Sequence, residues 1–279
     1  MAEQIKIYYS KLRNMGDCLN ELIVEKCFGY QAERCSFLDG ELCGIGSCLG
    51  QYTLHGTRPM RLQQRINGIR KPHVYIWGTG FINYSDAEGT FFKKNMEFCA
   101  VRGELTRKNV ERMTGKKLDI PMADAGILAS DLLDEIPETK YEVGIIPHLC
   151  DLKDPKVEEL MKQYPGSKFI NVKDNPLQVV KEIAKCRYVL SSSLHGLIVA
   201  DSFHIPNMYL VFGDRLLGDG YKFEDYYSAY GVEAQPRDLR TEKAPELTEI
   251  EEQYQILPEM VEEKKRQMKA AFPYPVKNR

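Results

Sequence analysis

The sequence predicts an α/β protein built from two successive strand–helix units. Three observations carry this. Short β-branched and aromatic runs alternate with apolar segments at helical spacing along most of the chain. Polar or glycine-bearing turns recur between the end of a strand and the start of the next helix. A charged, proline-bearing stretch with no apolar period, IPETK at 136–140, separates a first half from a second in which the alternation restarts. The length of 279 residues suits two modest domains, and 28% charged with 43% hydrophobic residues is a soluble globular balance. A net charge of -2 gives no electrostatic footprint for nucleic acid. No run approaches the roughly 20 apolar residues of a membrane-spanning helix.

In the first half, IKIYY at 5–9 reads as a strand and 19–28 as a helix, with Asn14, Gly16 and Asp17 at the hand-over. Asp17 is read as a helix cap or as a cleft residue. Asn14 has no evident structural duty, although a turn role is open to it. LCGIGSCL at 42–49 is a buried strand or strand end. Its glycines lack the acidic residue about 20 positions on that a dinucleotide fold would place there, which excludes that reading. VYIWGTG at 74–80 is a strand ending in glycines. FCAVRGELTR at 98–107 is a strand followed by a helix start, with Arg102 at the turn. Arg102 is either a bidentate anion ligand or a surface arginine paired with Glu104. A short strand is expected over 118–120. Asp124 then stands in a small-residue turn before an apolar helix start, capping the turn or facing the cleft.

In the second half, YEVGIIP at 141–147 is a strand with His148 at its carboxyl end. A helix over 157–164, a strand over 168–172 and a helix opened by Asn175-Pro176 follow. NMYLVF at 207–212 is the next strand, and KFEDYYSAYG at 222–231 is an aromatic-rich helix begun by Lys222. One long helix is expected over 248–271, acidic early and basic late as the helix dipole favours. Its basic end (Lys264, Lys265, Arg266, Lys269) reads as a solvated face. The run MAEQIKIYY at the start reads as a strand rather than a leader. The eight cysteines form no C-x-x-C pair and are read as reduced thiols, with no metal constellation.

The most informative stretch is CRYVLSSSLHGLIVADSFHIP at 186–206. It reads strand, polar turn, helix. Ligands of open α/β sheets bind beyond the strands' carboxyl ends. Ser191, Ser192 and Ser193 with the first helical amides make an anion site. His195 beside them can move a proton near neutral pH. The plainer reading is a serine-rich cap with a core histidine.

Read together, NMGDCLNELI at 14–23, WGTGF at 77–81, VRGELTR at 101–107, DAGIL at 124–128, IPH at 146–148, SSSLHGLIVAD at 191–201 and KFEDYYSAYG at 222–231 resemble the polysaccharide pyruvyl transferase family. The resemblance spans residues 5–231. It implies a GT-B-like fold of two Rossmann-like domains facing across a cleft. The expected bounds are 1–138 on the acceptor side, 139–246 on the donor side, and a C-terminal helix over 247–279 bracing back toward the first domain. It implies a ketal-forming pyruvyltransferase that takes phosphoenolpyruvate as co-substrate, with no cofactor or metal, and releases phosphate. The acceptor is then a sugar of an exopolysaccharide or capsule precursor, often lipid-linked. The implied location is cytoplasmic, with peripheral contact at the inner membrane face.

By the same resemblance His195 is the general acid toward the enol, with Asp124 and His148 as candidates for deprotonating the acceptor. Arg102, His148, Ser191, Ser192, Ser193 and Lys222 bind the donor, and Asn14 and Asp17 the acceptor. Many members carry arginine where this chain has Ser193. Arg187, Arg215 or Lys222 is expected to supply the missing charge. Two further readings stay open: a nucleotide-sugar glycosyltransferase with Glu224 or Asp225 on the donor ribose, and a non-catalytic sugar-binding protein.

Overall fold

Two five-stranded sheets, each wholly parallel, form the frame of the computed structural model, which describes residues 3–10, 14–70 and 72–277. The first holds β1 (Gln4–Tyr8), β2 (Gln31–Cys35), β3 (Leu42–Cys43), β4 (Val74–Trp77) and β5 (Met96–Ala100). The second holds β6 (Tyr141–Ile146), β7 (Lys168–Phe169), β8 (Cys186–Ser191), β9 (Asn207–Val211) and β10 (Arg237–Asp238). The spatial orders are β2-β1-β3-β4-β5 and β10-β9-β8-β6-β7. Counted within each half, both sheets therefore run 2-1-3-4-5. Parallel strands need crossovers, and helices covering both faces leave the central strands almost continuously apolar. The last four residues of β6 and of β8 are accordingly buried without alternation.

The helices of the first half are α1 (Met15–Phe28), α2 (Arg58–Arg70), α3 (Tyr84–Ala87) and, after its last strand, α4 (Glu104–Thr114). Those of the second are α5 (Pro155–Gln163), α6 (Pro176–Ala184), α7 (Leu194–Ser202) and α8 (Tyr221–Ser228), followed by α9 (Leu247–Gln253) and α10 (Pro258–Ala270). Helix α1 buries Met15, Leu19, Ile23, Val24 and Phe28, one face at helical spacing. Asn14 is its N-cap and accepts from the Gly16 N–H, so Asn14 does have a structural duty and Asp17 is not the cap.

Four local expectations are corrected. The long C-terminal helix is two helices. Pro258 cannot donate to a preceding turn and disfavours helix at Leu257, which is extended (ψ 151°). The break lets Ile256 enter the core and Tyr254 reach Asp201 with its hydroxyl. Residues 118–120 form no strand. The ladder beside Val101 stops after one bridge to Met122, next to Pro121, which has no N–H. The segment expected as a strand over 168–172 pairs only at Lys168–Phe169. The apolar run after Asp124 is a 3-10 helix, Ala125–Leu132, wedged between α1, α7 and α10.

The two halves share one core. Met15 N–H donates to Val172 O across the junction (2.8 Å). Helix α10 touches both: Lys265 donates to Ser202 O, and Met268 O accepts from the Trp77 indole N–H. Beyond it Phe272 stacks on Phe28 (centroids 3.7 Å apart) and meets Trp77 edge-on. This aromatic cluster anchors the C-terminal segment on the first sheet. Phe272→Ala is expected to cost about 3 kcal/mol, read as a lowered urea midpoint with native helix content.

Candidate functional site

Open sheets of this strand order bind ligands where the order reverses, beyond the strands' carboxyl ends. In the first sheet that point lies between β1 and β3 and is occupied by the start of α1 and the loop 44–48. In the second it lies between β6 and β8 and is occupied by 147–151 and 191–195. The two switch points meet. A Cβ on Gly16, in the first turn of α1, would sit 2.0 Å from Nδ1 of His195. Only glycine allows the imidazole to lie against that turn.

Helix α7 is buried along its whole length, from Leu194 to Ser202. His195 is therefore held in an apolar frame, and burial with the nearby Lys222 and Arg102 charges lowers its pKa to about 3. Its Nε2 lies 4.0 Å from Oδ2 of Asp124. Both atoms are buried and neither has a hydrogen-bond partner among the described residues. Asp124 caps the 3-10 helix through Oδ1, which accepts from Gly126 N–H (2.9 Å), while burial raises its pKa to about 7. Capping and facing the site thus fall to different oxygens of one carboxylate. Asp17 is also buried, and burial lifts it to about 7, against the pull of Lys222. His148 is lowered to about 4 by burial and Lys222.

Residues 66–212, just over half of the chain, match the model of the polysaccharide pyruvyl transferase family. The chain belongs to that family. It is 29% identical over 232 residues to an uncharacterized protein of Acanthamoeba polyphaga mimivirus, covering 81% of this chain and 74% of the relative. It is 23% identical over 247 residues to the succinoglycan biosynthesis protein ExoV of Rhizobium meliloti (strain 1021), covering 84% of this chain and 67% of the relative. Arg102, Asp124, His148 and the 191–195 turn lie inside the family match; Asn14, Asp17 and Lys222 lie outside it.

For this pyruvyl transferase family member, the structure redistributes several expected roles. Arg102 is neither a surface residue paired with Glu104 nor a cation open to a ligand. It is fully buried, with Nε on Asp225 Oδ2 (2.9 Å), Nη1 on Ser47 Oγ (2.6 Å) and Nη2 on Phe81 O (2.5 Å). Glu104 pairs with Arg107 instead. The serines are largely spent on the turn itself. Ser191 Oγ donates toward Ile146 O and Ser193 O and accepts from Ser193 N–H. Ser192 Oγ donates to Asp151 and accepts from His148 N–H, which ties the two loops of the switch point together. Ser193 occupies the N-cap position of α7 without capping through its hydroxyl. What remains for an anion is the first two amides of α7, those of Leu194 and His195, since the N–H groups of Gly196 and Leu197 already donate to Ser193 O.

Of the three cations expected to replace the family arginine at Ser193, Arg187 pairs with Glu142 at the opposite end of β8 and Arg215 pairs with Asp151 and Asp154. Lys222 is half-buried, makes no ion pair among the described residues, and its charge acts on His195, His148 and Asp17. Burial and Arg102 lower its pKa to about 8. Asp225 accepts from Arg102 and from both N–H and hydroxyl of Thr106, so it is not available to a nucleotide ribose. Glu224 is exposed and accepts from the Tyr84 hydroxyl. The sequence offered no sign of Asp225 as partner of Arg102, 123 residues away, nor of Asp151 behind Ser192; the first pairing arises only when the halves close, the second only when β6 and β8 pair.

Arg102→Met leaves Asp225 buried without its partner and is expected to cost about 3–5 kcal/mol. Arg102→Met with Asp225→Leu should recover only part of this, because Thr106 then loses its acceptor. Urea denaturation of the three proteins checks both expectations.

Proposed function

We propose that this family member moves the enolpyruvyl group of phosphoenolpyruvate onto two hydroxyls of a polysaccharide or lipid-linked oligosaccharide precursor, forming a ketal. The observation that carries the reading is the facing pair of orphaned, buried atoms, His195 Nε2 and Asp124 Oδ2, where the two switch points meet. A GT-B-like arrangement is part of the proposal, with acceptor on the side of residues 1–138, donor on the side of 139–246, and 247–279 as brace. No helix among the described residues is long and apolar enough to cross a membrane; a cytoplasmic location belongs to the same proposal.

The chemistry requires a proton on the methylene carbon of the enol, attack of two hydroxyl oxygens on C2, and cleavage of the C2–O bond to phosphate. Of the two hydroxyl protons released, one replaces the proton delivered to the methyl group and the other leaves with phosphate. Lys222 and the α7 amides suit the donor's anionic groups, with the neutral His148 ring as a hydrogen-bonding wall. Asp17 and Asn14 lie toward the acceptor. Arg102 acts by holding α8 rather than by touching the donor.

The proton assignment differs from the simplest one. With His195 lowered and Asp124 raised, the carboxyl holds the proton near neutral pH. His195 then relays that proton to the enol and recovers one from the acceptor. This uses general acid–base catalysis with a donor poised near the working pH.

Acceptor-dependent phosphate release from phosphoenolpyruvate is the direct test, and its absence with every pyruvylatable acceptor would sink the reading. Phosphoenolpyruvate should raise the melting temperature, whereas stabilisation by nucleotide sugars alone favours a glycosyltransferase. His195→Gln is expected to slow turnover about 10²–10⁴-fold. Turnover should fall above pH about 7 as Asp124 ionises, and Asp124→Asn should lower the rate and abolish that alkaline limb.

Stability gives an independent readout of the same groups. Asp124 has a folded pKa above its ordinary 3.8, so its contribution is present below that value and lost as pH rises through about 7. His195 has the opposite sign: its contribution is present above 6.5 and lost as pH falls through about 3. Asp124→Asn should therefore flatten the decline in urea midpoint between pH 4 and 7 (window set by those two values).

A further inference from the structure

Helix α2 is inside out. It meets the body of the protein through Gln64, Asn67 and Gly68, with Gly68 packed so closely on Phe92 that a Cβ would lie 2.8 Å from the ring. On the opposite side Leu62, Ile66 and Ile69 are 61%, 37% and 77% exposed. Their i, i+4, i+7 spacing makes one apolar stripe pointing away from the core. Arg58, Arg61 and Arg65 run beside it at i, i+3, i+7. The thirteen residues of α2 contain four arginines and no acidic residue, in a chain whose net charge is -2. Arg58, Arg61 and Arg65 make no ion pair among the described residues; Arg61 donates to Gly56 O. A helix stabilised only within its own fold places apolar residues inward, so this arrangement needs an apolar, anionic exterior.

We propose that α2 docks the protein on an anionic lipid surface. The helix lies in the interfacial plane with Leu62, Ile66 and Ile69 in the acyl boundary. The arginine row spans the headgroups, its stems on lipid and its guanidinium groups on phosphates. A second copy of the chain fits the face poorly, because a two-fold contact sets one uncompensated arginine row against the other. The basic C-terminal end of α10 does not compete for the role. There Lys265 serves Glu262 and Ser202 O, Arg266 serves Glu263, and Lys269 serves Asp131. The loop 44–48 that borders the cleft leads to α2 through the 3-10 turn Leu49–Tyr52 and the segment 53–57. The inference stands on α2 alone and does not depend on the donor assignment.

The test is flotation of the full chain with phosphatidylcholine vesicles with and without phosphatidylglycerol. Binding is expected only with the anionic lipid and should weaken as salt rises. Leu62→Gln/Ile66→Gln/Ile69→Gln, and separately Arg58→Gln/Arg61→Gln/Arg65→Gln, should each weaken it at least tenfold. Both should keep the wild-type melting temperature and the wild-type phosphate release with a soluble acceptor. Failure of the wild type to float, or equal flotation of the variants, overturns the proposal. So does sedimentation showing a wild-type dimer that the apolar triple variant dissociates, which would assign the face to a second copy.

Discussion

The buried ion pair between Arg102 and Asp225 is the constraint on which the rest of the site depends. It joins the turn after the last strand of the first sheet to a helix supplied by the second half, and both side chains are wholly excluded from solvent. Isolated, either charge would be intolerable there, so the two halves can close only in the register that pairs them. The surroundings are fitted to it. Thr106 gives Asp225 two further donors, and Glu104 N–H donates to the Ser228 hydroxyl oxygen. Gly103 leaves room for the Asp225 backbone, whose oxygen would lie 1.6 Å from any Cβ there. Lys222 stands three residues before Asp225, one turn earlier on α8, so the pair also fixes where that cation stands.

Closure then sets the electrostatics of the site. His195, His148 and Lys222 lose affinity for protons on burial, while Asp124 and Asp17 gain it. The direction is the same in every case: desolvation disfavours the charged form. The result is a nearly neutral cleft in which Lys222 is the cation left without an ion pair among the described residues. Such a site suits a substrate that brings its own negative charge and needs one proton delivered. The orphaned atoms of His195 and Asp124 are tolerable in the same terms, since unpaired buried polar atoms persist where a ligand or a moving proton completes them.

The shared strand order explains why one cleft draws on both ends of the chain. Each half contributes its own switch point, and the residues nearest the junction come from the loop after the first strand and the loop after the third strand of each sheet. The contacts of Met268 O and Phe272 return the chain to the first sheet. Helix α2 stands outside this scheme. Its polar contacts with the body and its outward apolar stripe serve a surface that the protein itself does not provide.

The sequence by itself determined the alternation of strands and helices and the turns that hold Asn14, Asp17, Asp124, His148, Ser191–Ser193 and His195. Local signals sufficed because period, caps and glycine turns act within a few residues. It also carried the family, through motifs in fixed order. Where local patterning misled, a nearby proline or a missing partner decided: Pro258 split one helix in two, and Pro121 stopped a strand beyond its first bridge. Which charges meet was legible only in the tertiary structure. Arg102 looked like a ligand-binding turn arginine until Asp225 closed on it. The serines looked like an anion cradle until Asp151, Ile146 O and His148 N–H engaged two of them. Protonation followed the same rule, because the pKa of His195 or Asp124 depends on how much water the opposing half removes, and no property of either residue's neighbours in the chain encodes that.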